Sequence, residues 1–281
     1  MQIDGSPHDW FEGRREKCCL LVFIDDATSQ LLVLHFVEQE CLQGYFDAIE
    51  KHLKSHGVPL AYYSDKHGIF RVNIKEAQSG TGKTQLGRAL EELGIELICA
   101  NTPQAKGRVE KANQTLQDRL VKELRLRDIS DINTANVFLP EFIADYNCRF
   151  AVVPENGQDA HRALKEDEDS LSIILSKKQS RKVSKNLQLQ YQNKVYQIQS
   201  KELSYSLRGA MVTVSDNKGD IELLYNTKKL VYQVFDRGNQ PAPVQDSKQI
   251  QQPEPRQKPA YKPPAEHPWR KAYSKQRHQA A

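Results

Sequence analysis

Several large protein classes are excluded by what the sequence lacks. It has only five cysteines (Cys18, Cys19, Cys41, Cys99 and Cys148), an odd number with no Cys-x-x-Cys pair. This argues against a disulfide framework and a structural zinc site, and predicts a reducing, cytoplasmic setting. Cys18, Cys19 and Cys99 lie in apolar runs and read as small buried hydrophobes. No apolar run approaches the length of a membrane span, so no membrane partner is expected. No stretch ahead of the first motif has the make-up of a secretory signal.

Net charge is also low, at +4 over 281 residues, but it is unevenly distributed. Residues 1–175 sum to −8, residues 176–208 to +7 and residues 237–281 to +6. Basic segments of this kind attract phosphate backbones and make binding sensitive to salt. Either segment taken alone also reads as an ordinary solvated lysine-rich surface.

Periodicity places the elements. Cys18–Asp25 is a continuous apolar run, as in a fully buried strand, and Leu31–Val37 follows after a short polar turn, which predicts an antiparallel pair. Leu42, Tyr45, Phe46, Ile49 and Leu53 recur at helical spacing, ended by His56-Gly57. A strand over Leu60–Ser64, a helix around Leu86–Leu93 and a strand over Ile95–Cys99 come next. A long helix is predicted from Gly107 to Leu124, then another through Leu139, Phe142, Ile143 and Tyr146. Three leading strands followed by alternating helices and strands predict a mixed five-stranded sheet flanked by helices.

Residues 166–180 read as a linker. Residues 181–236 alternate in period two around an Asn-Lys turn and an Asp-Asn-Lys-Gly turn, which predicts a small all-β barrel of about five strands. Residues 237–281 are rich in Pro, Gln, Lys and Arg, and a disordered basic tail is expected.

Three carboxylates stand in distinctive settings: Asp4 in a strand-like start, Asp65 directly after a strand, and Glu110 in the first turn of a helix. Sixty residues separate the first two and 44 the last two. A hard divalent cation prefers oxygen ligands and keeps several waters, so a few converging carboxylates suffice to hold it. Two such ions can stabilise both the attacking and the leaving oxygen of an in-line displacement. Among 36 acidic residues, however, spacing alone does not separate this set from surface acids, and Asp25 and Asp26 also end a strand. Lys106, Arg108, Lys111 and Asn113 surround Glu110 as candidate DNA contacts.

Together, Ile3-Asp4, Ser64-Asp65-Lys66-His67-Gly68 and the run Thr102–Gln117 (TPQAKGRVEKANQTLQ) resemble the integrase-type catalytic core of DDE transposases and retroviral integrases. The match is nearest to bacterial insertion-sequence transposases, including the ISNCY group. Tyr146-Asn147-x-Arg149, Pro154 and Ala160-His161-Arg162-Ala163-Leu164 resemble the segment that closes that core, so the likeness covers about residues 1–165. It implies a ribonuclease H-like fold, with Asp4, Asp65 and Glu110 as catalytic metal ligands for two Mg2+ (or Mn2+) ions. Asp25 then matches a family position that is not a ligand. The implied activity is DNA cleavage and strand transfer on transposon ends and target DNA, by a homo-oligomer on paired ends, associated with the bacterial nucleoid. The family's upstream helix-turn-helix region is not expected in this chain. Two alternatives follow: a truncated remnant that only binds DNA, and a nuclease of the same fold that cuts without joining.

The basic approach to the β-unit (Lys177, Lys178, Arg181, Lys182 and Lys185) is expected to touch DNA phosphates. Ala77–Thr84 (AQSGTGKT) resembles a nucleotide-binding loop, but the polar FRVNIKEAQ before it lacks the buried strand such a loop needs. ATP binding is therefore not expected. His8 reads either as support for substrate or metal near Asp4 or, the favoured reading, as part of a turn capped by Ser6 and Asp9 with Trp10 packing on the sheet.

Overall fold

The computed structural model describes residues 1–70, 83–100, 106–199 and 205–236. Residues 1–234 form one compact unit. Its main sheet contains β1 (Gln2–His8), β2 (Cys18–Ile24), β3 (Leu31–Val37), β4 (Ala61–Ser64) and β5 (Glu96–Cys99), in the order β3-β2-β1-β4-β5. β2 runs antiparallel to β1 and to β3, whereas β1, β4 and β5 are mutually parallel. Four strands thus point one way, and residues that follow β3, β4 and β5 emerge at one end of the sheet. This is the mixed five-stranded sheet that the element order predicts, in the ribonuclease H-like arrangement that the resemblance implies.

β2 reads as a continuous apolar run because both its faces are covered. Cys18, Leu20, Val22 and Ile24 join one core cluster, and Cys19, Leu21 and Phe23 join the other. The helices α1 (Leu42–His56) and α2 (Gln85–Glu92) cover the second face through Tyr45, Phe46, Ile49, Leu53, Leu86 and Leu90. The opposite face carries α3 (Gly107–Leu126) and α4 (Ile132–Phe150), through Val109, Leu116, Leu120, Leu124, Leu139 and Phe142.

The edge strand β3 is held by two asparagines of α4. Asn136 accepts from the Phe36 amide at 2.8 Å and donates to its carbonyl at 3.0 Å. Asn147 does the same for Leu31, at 2.8 and 2.9 Å. Backbone groups that would otherwise template pairing with another chain are thereby satisfied. Asn147 belongs to the closing motif read in the sequence, and this gives it a structural task.

Beyond α5 (Glu168–Ile174) lie seven strands: β6 (Lys177–Lys182), β7 (Gln188–Tyr191), β8 (Lys194–Ile198), β9 (Met211–Asn217), β10 (Asp220–Tyr225), β11 (Lys228–Lys229) and β12 (Tyr232–Asp236). They form two small sheets, β11-β10-β9-β6 and β12-β8-β7, around a shared core that includes Leu189, Tyr196, Val212, Val214 and Leu223. β6 begins inside the segment read as a linker and ends just past it. Its sequence KKQSRK has no apolar alternation, yet it pairs along its length with β9. The first hairpin turns at Gln192-Asn193, both at positive φ, one residue before the expected Asn-Lys; the second turns at Lys218-Gly219. Residues 237–281 lie outside the described residues.

The β-unit is fastened to α2. The Gln85 amide pairs with both backbone groups of Lys178 at 2.9 Å, and Arg88 donates to the carbonyls of Ile174 and Ser176. The Lys178 ammonium reaches Glu92 at 2.7 Å.

Candidate active site

The site begins with strand register. Gln2 of β1 pairs with Tyr63 of β4 in parallel, so two residues on, Asp4 comes level with Asp65 just past the end of β4. Gln2, Asp4 and Ser6 share the face of β1 that meets α3, whereas Ile3 faces α1 and α2. Gln2 fixes the start of α3: its side-chain oxygen accepts from the Val109 amide at 3.0 Å. The N-cap residue of that helix, Lys106, makes no side-chain cap bond of its own.

A polar stripe runs down α3 at spacings of four, three and four: Lys106, Glu110, Asn113 and Gln117. Lys106 Nζ lies 2.5 Å from Asp4 Oδ1, Asn113 Nδ2 donates to Asp4 Oδ2 at 2.9 Å, and Gln117 donates to Ser6 Oγ at 3.1 Å. Glu110 occupies the same stripe between the two residues that hold Asp4, with an exposed side chain. Asn113 Oδ1 is buried without a hydrogen-bond partner. Burial raises the Asp4 carboxyl above its ordinary range. Lys106 opposes that shift, and the charges of Asp65 and Glu40 add to it. Asp65 is exposed and shapes its own loop, accepting from the His67 amide at 2.9 Å.

The donors at this edge are all oxygen, the chemistry that suits a hard divalent cation. Among the described residues, no group of three or more His, Cys, Asp or Glu side chains stands close enough to hold a metal ion. The position beside Asp4 is instead taken by the Lys106 ammonium.

The other candidates divide. Lys106, expected on DNA, is 6% exposed and bonded to Asp4. Lys178 is tied to Glu92, so it fastens the fold rather than presenting a free cation. Arg108 bridges Ser29 at 2.6 Å and Asp26 at 3.3 Å, and Lys111 is exposed. Arg181 lies over the Tyr191 ring, while Lys177, Lys182 and Lys185 are exposed. Asp25 binds the amide and hydroxyl of Thr28 at 2.8 and 2.6 Å, as a turn residue would. His8 stacks edge-on to the buried Trp10, whose indole donates to the Ser6 carbonyl at 3.0 Å. Most of the Ala77–Thr84 loop lies outside the described residues; Thr84 caps α2, and Lys83 pairs with Glu91 at 2.5 Å.

Sequence reasoning missed Glu40. Its carboxylate packs against Gly5, where an added Cβ would lie 2.6 Å from Glu40 Cδ, and it accepts from the Tyr45 hydroxyl at 2.7 Å. The available signal was strand direction. β3 is parallel to β1, so an acid shortly after β3 emerges at the same sheet end as Asp65.

The fold and this edge define a ribonuclease H-like core with an acidic rim facing a helix start. By sequence, the chain is similar to bacterial proteins named as transposases, one of them for an insertion sequence. A Sinorhizobium fredii protein named as transposase y4bF is 47% identical over 238 residues, covering 84% of this chain and 52% of the relative. The transposase for insertion sequence IS1202 of Streptococcus pneumoniae is 32% identical over 289 residues, covering 98% of this chain and 58% of the relative. The chain thus spans a little over half the length of these relatives. No protein-family profile matches it. Among solved structures, the magnesium-bound HTLV-2 integrase catalytic core domain aligns with a TM-score of 0.39 and 16% identity, over 58% of this chain and 94% of that one.

Proposed function

We propose that the chain carries the catalytic core of a DDE transposase, which cuts DNA at a transposon end and joins the freed 3′-hydroxyl to target DNA. The observation that carries the reading is the convergence on Asp4. Register sets it level with Asp65, and the α3 stripe that contains Glu110 grips it from both sides. Homology to insertion-sequence transposases supports the same activity.

In this reading, Asp4, Asp65 and Glu110 hold two Mg2+ or Mn2+ ions. Bound there, the ions would supply Lewis-acid stabilisation of the attacking and leaving oxygens. The chain's own residues do the positioning. Asn113 fixes the Asp4 carboxylate through Oδ2, Gln2 fixes the first turn of α3 on β1, and the Asp65 turn is held by the His67 amide. Lys106 neutralises Asp4, and would be free to meet a DNA phosphate if a metal ion took its place on that carboxylate. The active species is proposed to be a homo-oligomer on paired DNA ends.

The test is an Asp65→Asn variant. Asp65 is exposed, so the variant is expected to melt as the parent does, yet to lose Mn2+-dependent nicking of supercoiled plasmid and joining of a pre-cut end. Joining by the variant at the parent's rate would overturn the reading. Nicking without joining by the parent would favour a nuclease of the same fold.

A further inference from the structure

A second site lies in the β-unit, away from the acidic rim. Between the end of β6 and the turn that leads into β9 is an open cleft of about 670 Å³, lined in part by Lys182, Lys185, Tyr205 and Arg208. Specific small-molecule sites fall in the same volume range. Among the described residues, no carboxylate lines it and none of these three cations forms an ion pair.

Tyr205 sets the cleft apart from an ordinary basic surface. Its side chain is 86% exposed, although the neighbouring Leu207 is fully buried and anchors the turn. The Arg208 guanidinium lies 5.9 Å from the Tyr205 ring centroid. Gly209, at φ +76°, turns the chain back so that its amide donates to the Val183 carbonyl at 2.9 Å. That turn brings Arg208 and the end of β6 to the same cleft. An exposed aromatic ring, backed by a guanidinium and flanked by exposed ammonium groups, is the combination that unpaired nucleic acid uses. Bases stack on the ring while the cations follow the phosphates. A duplex keeps its bases stacked internally and would use the cations alone.

We infer that this cleft binds single-stranded DNA, with Tyr205 as the stacking platform for one base, Arg208 supporting the ring, and Lys182 and Lys185 on the flanking phosphates. A strand freed or frayed at a cut end is the natural source of such a ligand. The site uses none of the acidic rim, so it stands or falls separately from the proposed chemistry.

The experiment is fluorescence anisotropy of the full chain with a labelled oligo-dT strand and with a duplex of equal length. Tyr205→Ala is expected to weaken single-strand binding by roughly fivefold to a hundredfold, the range for loss of one stacked base. Duplex affinity and the salt slope should hold, and Tyr205→Trp should retain binding. Lys182→Gln with Lys185→Gln should flatten the single-strand salt slope by about 1.4, about 0.7 for each of the two phosphates that are no longer neutralised. Asp65→Asn should bind as the parent does, which separates failure here from failure of the catalytic reading. The inference is overturned if oligo-dT does not bind the parent, if Tyr205→Ala leaves its affinity unchanged, or if strand and duplex weaken equally. Displacement of the strand by polyglutamate with no effect of Tyr205→Ala would point instead to an acidic peptide site, and would equally overturn it.

Discussion

Replacing Lys106 with Met tests the centre of the site without touching a proposed metal ligand. The side chains of Lys106 and Asp4 are 8% and 19% exposed, and their charges meet at 2.5 Å. Breaking a fully buried pair by removing one partner costs about 3–5 kcal/mol. Here the stranded carboxylate keeps some solvent and the Asn113 bond, so a loss of about 2–4 kcal/mol is expected at pH 7.5 in EDTA. The loss is capped because Asp4 can take up a proton. Its carboxyl is already raised by burial, with Asp65 and Glu40 adding to that and Lys106 opposing it. A carboxyl raised in the folded state contributes stability that is fully present below its unfolded value and is lost as pH rises through the folded one. Without Lys106 the folded value rises further. The deficit of the variant should therefore be smaller at pH 4 than at pH 7.5, because Asp4 takes up a proton as pH falls and the stranded charge is then lost. Urea denaturation followed by circular dichroism at both pH values measures this, and Asp4→Asn supplies the control background. A deficit of the same size at pH 4 and pH 7.5, or an undiminished one in the Asp4→Asn background, would refute the reasoning.

Two further outcomes follow from buried neighbours. Gly5→Ala puts a methyl 2.6 Å from Glu40 Cδ, so Glu40 must swing away and give up its bond to Tyr45. A loss of about 1–3 kcal/mol in urea is expected, largely recovered in Gly5→Ala/Glu40→Ala, and an unchanged midpoint would count against the packing described. His52 is fully buried against Tyr62, and burial, with His161 and His56 adding to it, lowers its imidazole to about 3. A base lowered in the folded state contributes stability above its unfolded value of about 6.5 that is lost as pH falls towards the folded one. His52→Gln should flatten the acid limb of stability between pH 6.5 and 4, where the parent loses on the order of 1 kcal/mol per pH unit; an identical limb in both proteins would contradict this.

The sheet was legible because its strands carry strong one-dimensional signals. β2 is apolar throughout because both faces are packed, and the α3 face recurs through Val109, Ala112, Leu116 and Leu120. β6 was not legible, because KKQSRK draws its partner from β9 rather than from any apolar pattern of its own. At the site, Asp65 and Glu110 stood out through local setting. Glu40 could be found only by following strand direction across a sheet, and Tyr205 only by knowing that a turn leaves its ring in water. The fate of the lysines was the least legible. Lys106, Lys111 and Lys178 look alike in the sequence, yet one neutralises Asp4, one is solvated and one clasps the β-unit.

A lysine buried against a carboxylate is an unfavourable choice for stability alone, since a well-packed apolar pair often serves as well or better. Its presence is intelligible if the acids must stay near one another for another purpose. Asp65 and Glu40 both bear on Asp4 at the same end of the sheet, and Glu110 sits on the helix face that grips Asp4. Without a cation among them these charges repel, and burial makes ionised Asp4 costly. Lys106 supplies that cation from within the chain, at the N-cap of the helix that carries Glu110. If Asp4, Asp65 and Glu110 hold a divalent ion as proposed, Asp4 would have to exchange its Lys106 partner for it, so Lys106→Met should alter the metal requirement as well as stability.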